Sequence, residues 1–126
     1  MKVLLIDRTS PARERLVGEI SELPDVQIEI QDADDPGVEA AITQLHPDVV
    51  LIDIDHSQGR GIEIIRQLHG RRAEGKSIIV AITSSNSLEY RACCHEAGAL
   101  FFFDWVREQD WLMKSLVAIQ EQLREG

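Results

Sequence analysis

Val49-Val50-Leu51-Ile52-Asp53 is a run of four apolar residues closed by a carboxylate, and the polar stretch Asp55-His56-Ser57-Gln58-Gly59-Arg60-Gly61 follows one residue later. A strand covered by helices on both faces reads as an unbroken apolar run, because neither side of it meets water. Asp53 therefore stands where a buried strand emerges at its carboxyl end. Ligands of open α/β sheets bind outside that end. A carboxylate there is a candidate for chemistry.

The same pattern recurs along the chain. Lys2 to Asp7 holds Val3-Leu4-Leu5-Ile6 and again ends in a carboxylate. Ser10-Pro11 reads as the cap and first residue of a helix, with Leu16, Val17, Ile20 and Leu23 at helical spacing and Pro24 as its stop. Val26, Ile28 and Ile30 alternate with polar residues, as on a strand near a sheet edge. Asp35-Pro36 predicts a second helix start, Val38, Ala41, Ile42 and Leu45 its buried stripe, and Pro47 its close. A third helix is expected from about Gly61 to Arg71, a fourth strand over Ser77 to Thr83, and a helix capped within Ser84 to Ser87 that runs to Ala97 and stops at Gly98. Leu100 to Phe103 predicts a fifth strand, and Leu112, Leu116, Ile119 and Leu123 the buried face of a last helix.

Strands alternating with helices specify an α/β fold, a parallel sheet with helices on both faces. The alternating strand belongs at an edge and the apolar ones toward the centre. A flavodoxin-like (βα)5 doubly wound sheet of order 2-1-3-4-5 meets both demands, as a single domain over residues 1–126. It sets strands 1 and 3 side by side, so Asp7 and Asp53 face one crevice. Two carboxylates in one crevice can bind a hard cation, move a proton or accept an electrophile, and each can also simply cap the helix that follows.

Net charge is -9, from 22 acidic and 13 basic residues. That balance argues against nucleic-acid phosphates as a partner, which call for a basic face. No apolar run approaches the ~20 residues of a membrane helix, and the start at Met1-Lys2 lacks a signal-peptide pattern. No membrane partner and a cytoplasmic location are the expectations. Cys93 and Cys94 are neighbours in a helical pattern, about 100° apart around the axis, a poor geometry for a disulfide.

The chain resembles the receiver domain of two-component response regulators over essentially its whole length. The residues that carry the resemblance are Pro47 to Asp53 with Gly61 eight residues on, Thr83 at the end of strand 4, and Ala97-Gly98-Ala99 before an aromatic strand. The resemblance implies that Asp53 is the phosphoacceptor and that Asp7, Asp53 and the main-chain carbonyl of Asp55 hold Mg2+. It implies Thr83 and Phe102 as switch residues. The partner would be a sensor histidine kinase or histidine phosphotransfer protein, and the output face, formed by helix 4, strand 5 and helix 5, could form a homodimer. Such a module signals; it is not an enzyme.

Two positions depart from the family pattern. Arg8 replaces the second carboxylate after strand 1, and Trp105 stands where the family keeps a lysine; Arg107 is two positions on and expected inside the last helix. Arg8 can put a fixed positive charge in the metal's place, weaken the metal site, or point to solvent. Trp105 offers one neutral N–H donor, and packing is its expected role. The expectation is an atypical or pseudo-receiver with weak or absent Mg2+ binding and phosphorylation, acting by protein contact. The alternative is a working Mg-dependent receiver. A distant alternative is a flavodoxin-like small-cofactor domain, since His56-Ser57-Gln58-Gly59 is similar to the histidine loop of cobalamin-binding relatives. Arg13 and Arg15 border the crevice and suit a phosphotransfer partner, Arg66, Arg71, Arg72 and Lys76 read as solvated, and Trp111 is an interface candidate.

Overall fold

The computed structural model describes residues 1–7, 11–32, 35–55, 60–70, 77–83 and 88–125. Five parallel strands, β1 (Lys2–Asp7), β2 (Gln27–Asp32), β3 (Val49–Asp53), β4 (Ile78–Thr83) and β5 (Phe101–Asp104), form one sheet in the order β2-β1-β3-β4-β5. They alternate with α1 (Pro11–Ser21), α2 (Val38–Leu45), α3 (Arg60–Gly70), α4 (Arg91–Ala97) and α5 (Gln109–Glu125), and a 3-10 turn over Leu88–Tyr90 leads into α4. The predicted fold class and strand order are both present.

Every residue of β3 is buried, as its apolar run requires, and alternate side chains feed two cores. Val50 and Ile52 join Leu4, Ile6 and Ala81 against α2, α3 and α4, where Val38, Ile64, Ile65 and Cys94 are buried. Val49 and Leu51 join Val3, Leu5, Val80 and Ile82 against α1 and α5, where Leu16, Ile20, Leu112, Leu116 and Ile119 are buried. β2 is an edge strand, and its outer position Ile30 is exposed.

Several boundaries differ from expectation. α2 begins at Val38, because Asp35 closes a turn instead of capping the helix: its Oδ1 accepts from the Gly37 amide at 2.7 Å, and its carbonyl from the Val38 amide at 3.2 Å. α2 ends on His46, whose φ of 47° is left-handed, and Pro47 follows. β5 runs one residue further than Phe103, pairing Asp104 with Thr83. Leu123, expected on the buried face of the last helix, is 45% exposed. Arg107 precedes α5 rather than lying in it. The expected caps Ser10 and Ser84 to Ser87 lie outside the described residues.

Candidate functional site

The β1–β3 register pairs Ile6 with Ile52, so Asp7 and Asp53 follow at one level of two neighbouring strands. Both are almost fully buried, at 2% exposure. Carboxylates are rarely so buried without partners, and each has interactions in this structure. Thr83 closes β4, fully buried, on the other side of β3. The three side chains expected at the crevice thus share one end of the sheet.

Beyond the strand ends, the Ile54 amide donates to the Ile82 carbonyl at 3.0 Å and carries the β3–β4 ladder one step further. That step turns Asp55 over the crevice. Its amide donates to Asp53 Oδ1 at 2.8 Å. Its carboxylate accepts from the Thr83 hydroxyl, with Oδ1 at 2.7 Å and Oδ2 at 2.8 Å.

The junction from β5 to α5 carries no lysine. The Trp105 amide donates to the Thr83 carbonyl at 2.9 Å, and the indole is 2% exposed, packed in the α1–α5 core with Leu112 and Leu116. Asp104 organises the turn: Oδ1 accepts from the Val106 and Arg107 amides at 3.2 Å, and Oδ2 binds Arg107 Nη1 at 2.8 Å. Glu108 Oε1 accepts from the Asp104 amide at 3.0 Å, a reciprocal capping arrangement just before α5. Phe102 lies in the opposite core with the Arg91 guanidinium 5.6 Å from its ring centre. Phe101 and Phe103 alternate to the α1–α5 side, half-buried and stacked at 5.8 Å.

The donor chemistry bears on a metal. Asp7 and Asp53 offer hard oxygen ligands, which suit a cation such as Mg2+ that keeps most of its waters and takes one or two carboxylates. Among the described residues, no group of three or more His, Cys, Asp and Glu side chains is placed to hold a metal ion. The described donors suit a cation that keeps most of its waters. Arg8 and His56 lie outside the described residues, as do Arg71, Arg72 and Lys76.

Solved structures share this architecture. A CheY-like response regulator receiver domain protein from Methanospirillum hungatei is 25% identical, with a TM-score of 0.71 over 99% of this chain and 98% of its own. The fold is that of a response-regulator receiver domain. The BeF3-activated N-terminal receiver domain of Klebsiella pneumoniae RstA is 21% identical, with a TM-score of 0.72 over 94% of this chain and 98% of its own. The Mn2+-bound form of response regulator Rcp1 is 20% identical, with a TM-score of 0.63 over 95% and 92% of the two chains. No protein-family model and no curated protein matches the chain.

Within this receiver fold, sequence reasoning missed the Asp55 side chain and Asp104. The resemblance involves Asp55 only through its carbonyl, and a carboxylate two residues past a strand gives no sign of where it turns. Asp104 did carry a signal: an Asp with a Glu four residues on, ahead of an apolar-periodic stretch, resembles a capping pattern.

Proposed function

We propose that this chain is the receiver module of a two-component phosphorelay, with Asp53 as the phosphoacceptor position, and that it is phosphorylated weakly or not at all and signals by protein contact. The observation that carries this reading is the burial of Trp105. Where the family keeps a lysine, the indole packs under α5, and the next cation, Arg107, is bound to Asp104.

A phosphoryl group on Asp53 adds negative charge beside Asp7 and Asp55. Two unit charges about 4 Å apart interact by roughly 4 kcal/mol at an effective dielectric near 20. The missing lysine contact is therefore enough to slow acceptance by orders of magnitude. A divalent cation, when bound, supplies charge neutralisation for the approach of phosphoryl and carboxylate. Asp7, Asp53 and the Asp55 carbonyl would hold it, and the Mn2+-bound and BeF3-activated neighbours support such a site here. The donor would be a sensor histidine kinase or histidine phosphotransfer protein in the cytoplasm. The face made by α4, β5 and α5 would form the protein contact, including a homodimer. Tyr90, Val106 and Trp111 are exposed along these elements and their junctions.

Asp7, Asp53 and Thr83 all lie at one end of the sheet, which favours a second reading, a working receiver that tolerates Arg8 and Trp105. Intact mass after incubation with a small-molecule phosphodonor and Mg2+ separates the two. The leading reading expects a trace adduct at most, absent in Asp53→Asn. A stoichiometric adduct that depends on Asp53 overturns it in favour of the second.

A further inference from the structure

Asp55 acts on both sides of the crevice at once. Its amide holds Asp53 Oδ1 and its carboxylate holds the Thr83 hydroxyl through both oxygens, at 2.7 and 2.8 Å. β3 and β4 are neighbours, with Asp53 opposite Ile82, so the chain Asp53–Asp55–Thr83 bridges two adjacent strand ends. A hydroxyl has one proton to donate. Donated to a carboxylate, it makes a charge-assisted bond, stronger than one between neutral groups. Whatever else approaches Asp53 and needs that proton must take it from Asp55.

We infer that Asp55 is a positioning residue that serves as an internal anion: it keeps Thr83 engaged in the unmodified protein and has to release it before a phosphoryl group on Asp53 can use the same hydroxyl. The inference rests on the receiver reading above. Geometry and charge act in the same direction. A phosphoryl oxygen and the Asp55 carboxylate are both acceptors for a single proton, and both are anionic, so they repel each other as well as compete. Asp55 is half-buried while Thr83 is fully buried, which makes Asp55 the partner with a route to water. Release concerns the carboxylate, while the hydrogen bond to Asp53 is made by the main-chain amide of Asp55. Asp55 thus holds Thr83 without phosphorylation and gives it up only to an anion strong enough to displace a carboxylate.

The test compares wild type with Asp55→Ala and Asp55→Asn. The Thr83 side-chain rotamer is read from three-bond methyl couplings by NMR, and the phosphorylation rate from intact mass with a small-molecule phosphodonor and Mg2+. The expected result is one Thr83 rotamer in wild type and an averaged one in Asp55→Ala. The initial rate rises about tenfold or more in Asp55→Ala, the worth of a charged hydrogen bond, and less in Asp55→Asn, which keeps an acceptor oxygen. Adding Thr83→Val to Asp55→Ala erases the gain. An unchanged rotamer in Asp55→Ala overturns the inference, and so does a released rotamer with no gain in rate. Absence of adduct from every variant overturns it too, yet leaves the weak-or-absent phosphorylation reading standing. An adduct that survives Asp53→Asn fails the receiver reading instead, and the Thr83 couplings then judge the Asp55 contact alone.

Discussion

The amide of Trp105 donates to the carbonyl of Thr83 at 2.9 Å, one residue past the last β4–β5 register pair, Thr83 with Asp104. The backbone of Trp105 is thereby fixed beside the crevice hydroxyl while its indole lies in the α1–α5 core. One residue ties the strand end to the packing below it. Truncation to alanine removes the largest fully buried side chain of the protein. Trp105→Ala is expected to cost about 3–5 kcal/mol, measured by urea unfolding. A loss below 1 kcal/mol would show that the indole is not a core element.

Gly98 ends α4 with φ at 125°, and its amide donates to the carbonyls of Cys94 and His95, both at 3.1 Å. A Cβ at this position meets the His69 Cβ and its ring Cγ, both at 2.4 Å. Gly98→Ala is therefore opposed twice, by backbone strain and by a steric clash. The expected loss is roughly 2 kcal/mol or more by thermal or urea unfolding. Adding His69→Gly, which removes the Cβ as well as the ring, relieves the clash and not the strain, so the double variant recovers part of the loss relative to His69→Gly alone. Full recovery would put the whole cost on His69.

Cys94 is fully buried and Cys93 exposed, as two adjacent positions on a helix over a core require. Burial, and secondarily the neighbouring Cys93, push the Cys94 thiol from its ordinary 9.0 to about 11. The protonated form is favoured in the folded chain, so this contribution to stability is complete below pH 9. It is lost as pH rises from 9 to 11, where the unfolded chain gives up a proton that the folded chain keeps, by about 2–3 kcal/mol in all. Cys94→Ala should flatten that part of the stability profile. Iodoacetamide at pH 8 should add one label to the native protein and two in urea.

Magnesium affinity tests the other family departure. Arg8→Asp supplies the second carboxylate that the receiver pattern places after β1, next to the buried Asp7. Affinity for Mg2+, followed by calorimetry, is expected to rise at least about tenfold, since an added carboxylate ligand replaces a repelling cation. An unchanged affinity would put the Arg8 side chain outside the pocket.

The sheet was legible because its signals are collective. Four apolar residues in a row at 3–6, 49–52 and 79–82 mark strands buried on both faces whatever the details of packing, and their order follows from which strand alternates. Asp7, Asp53 and Thr83 were legible as the residues that end those runs. Features set by one side chain's direction were not. Leu123 keeps the helical period and yet is exposed, because periodicity records a face and not what packs against each turn of it. Asp35-Pro36 satisfies a helix-start pattern, and the Asp closes a turn one step earlier by local hydrogen bonding that competes with the cap. The Asp55–Thr83 contact spans 28 residues between two strand ends and depends on a rotation after β3 that no local pattern encodes.

Trp111 is 64% exposed on α5, with the Lys114 ammonium 5.5 Å from its ring centre. A large aromatic on a solvated helix face contributes little to the fold, and the same residue type is enriched among binding hot spots. Val106, 52% exposed at the β5–α5 junction, and Tyr90, 44% exposed before α4, extend apolar surface along the same elements. Two ion pairs are already formed on these elements, Arg91 with Glu108 at 3.8 Å and Arg107 with Asp104 at 2.8 Å. A partner that covers this face gains apolar contact and need not strand these four charges. Trp111→Ala should change unfolding free energy by no more than about 0.5 kcal/mol, as for a surface site. If this face is the homodimer contact, the same variant should weaken self-association by tenfold or more in sedimentation equilibrium, the scale of a hot-spot truncation. Self-association that is unaffected by Trp111→Ala and by Val106→Asp would remove the α4–β5–α5 face as the contact.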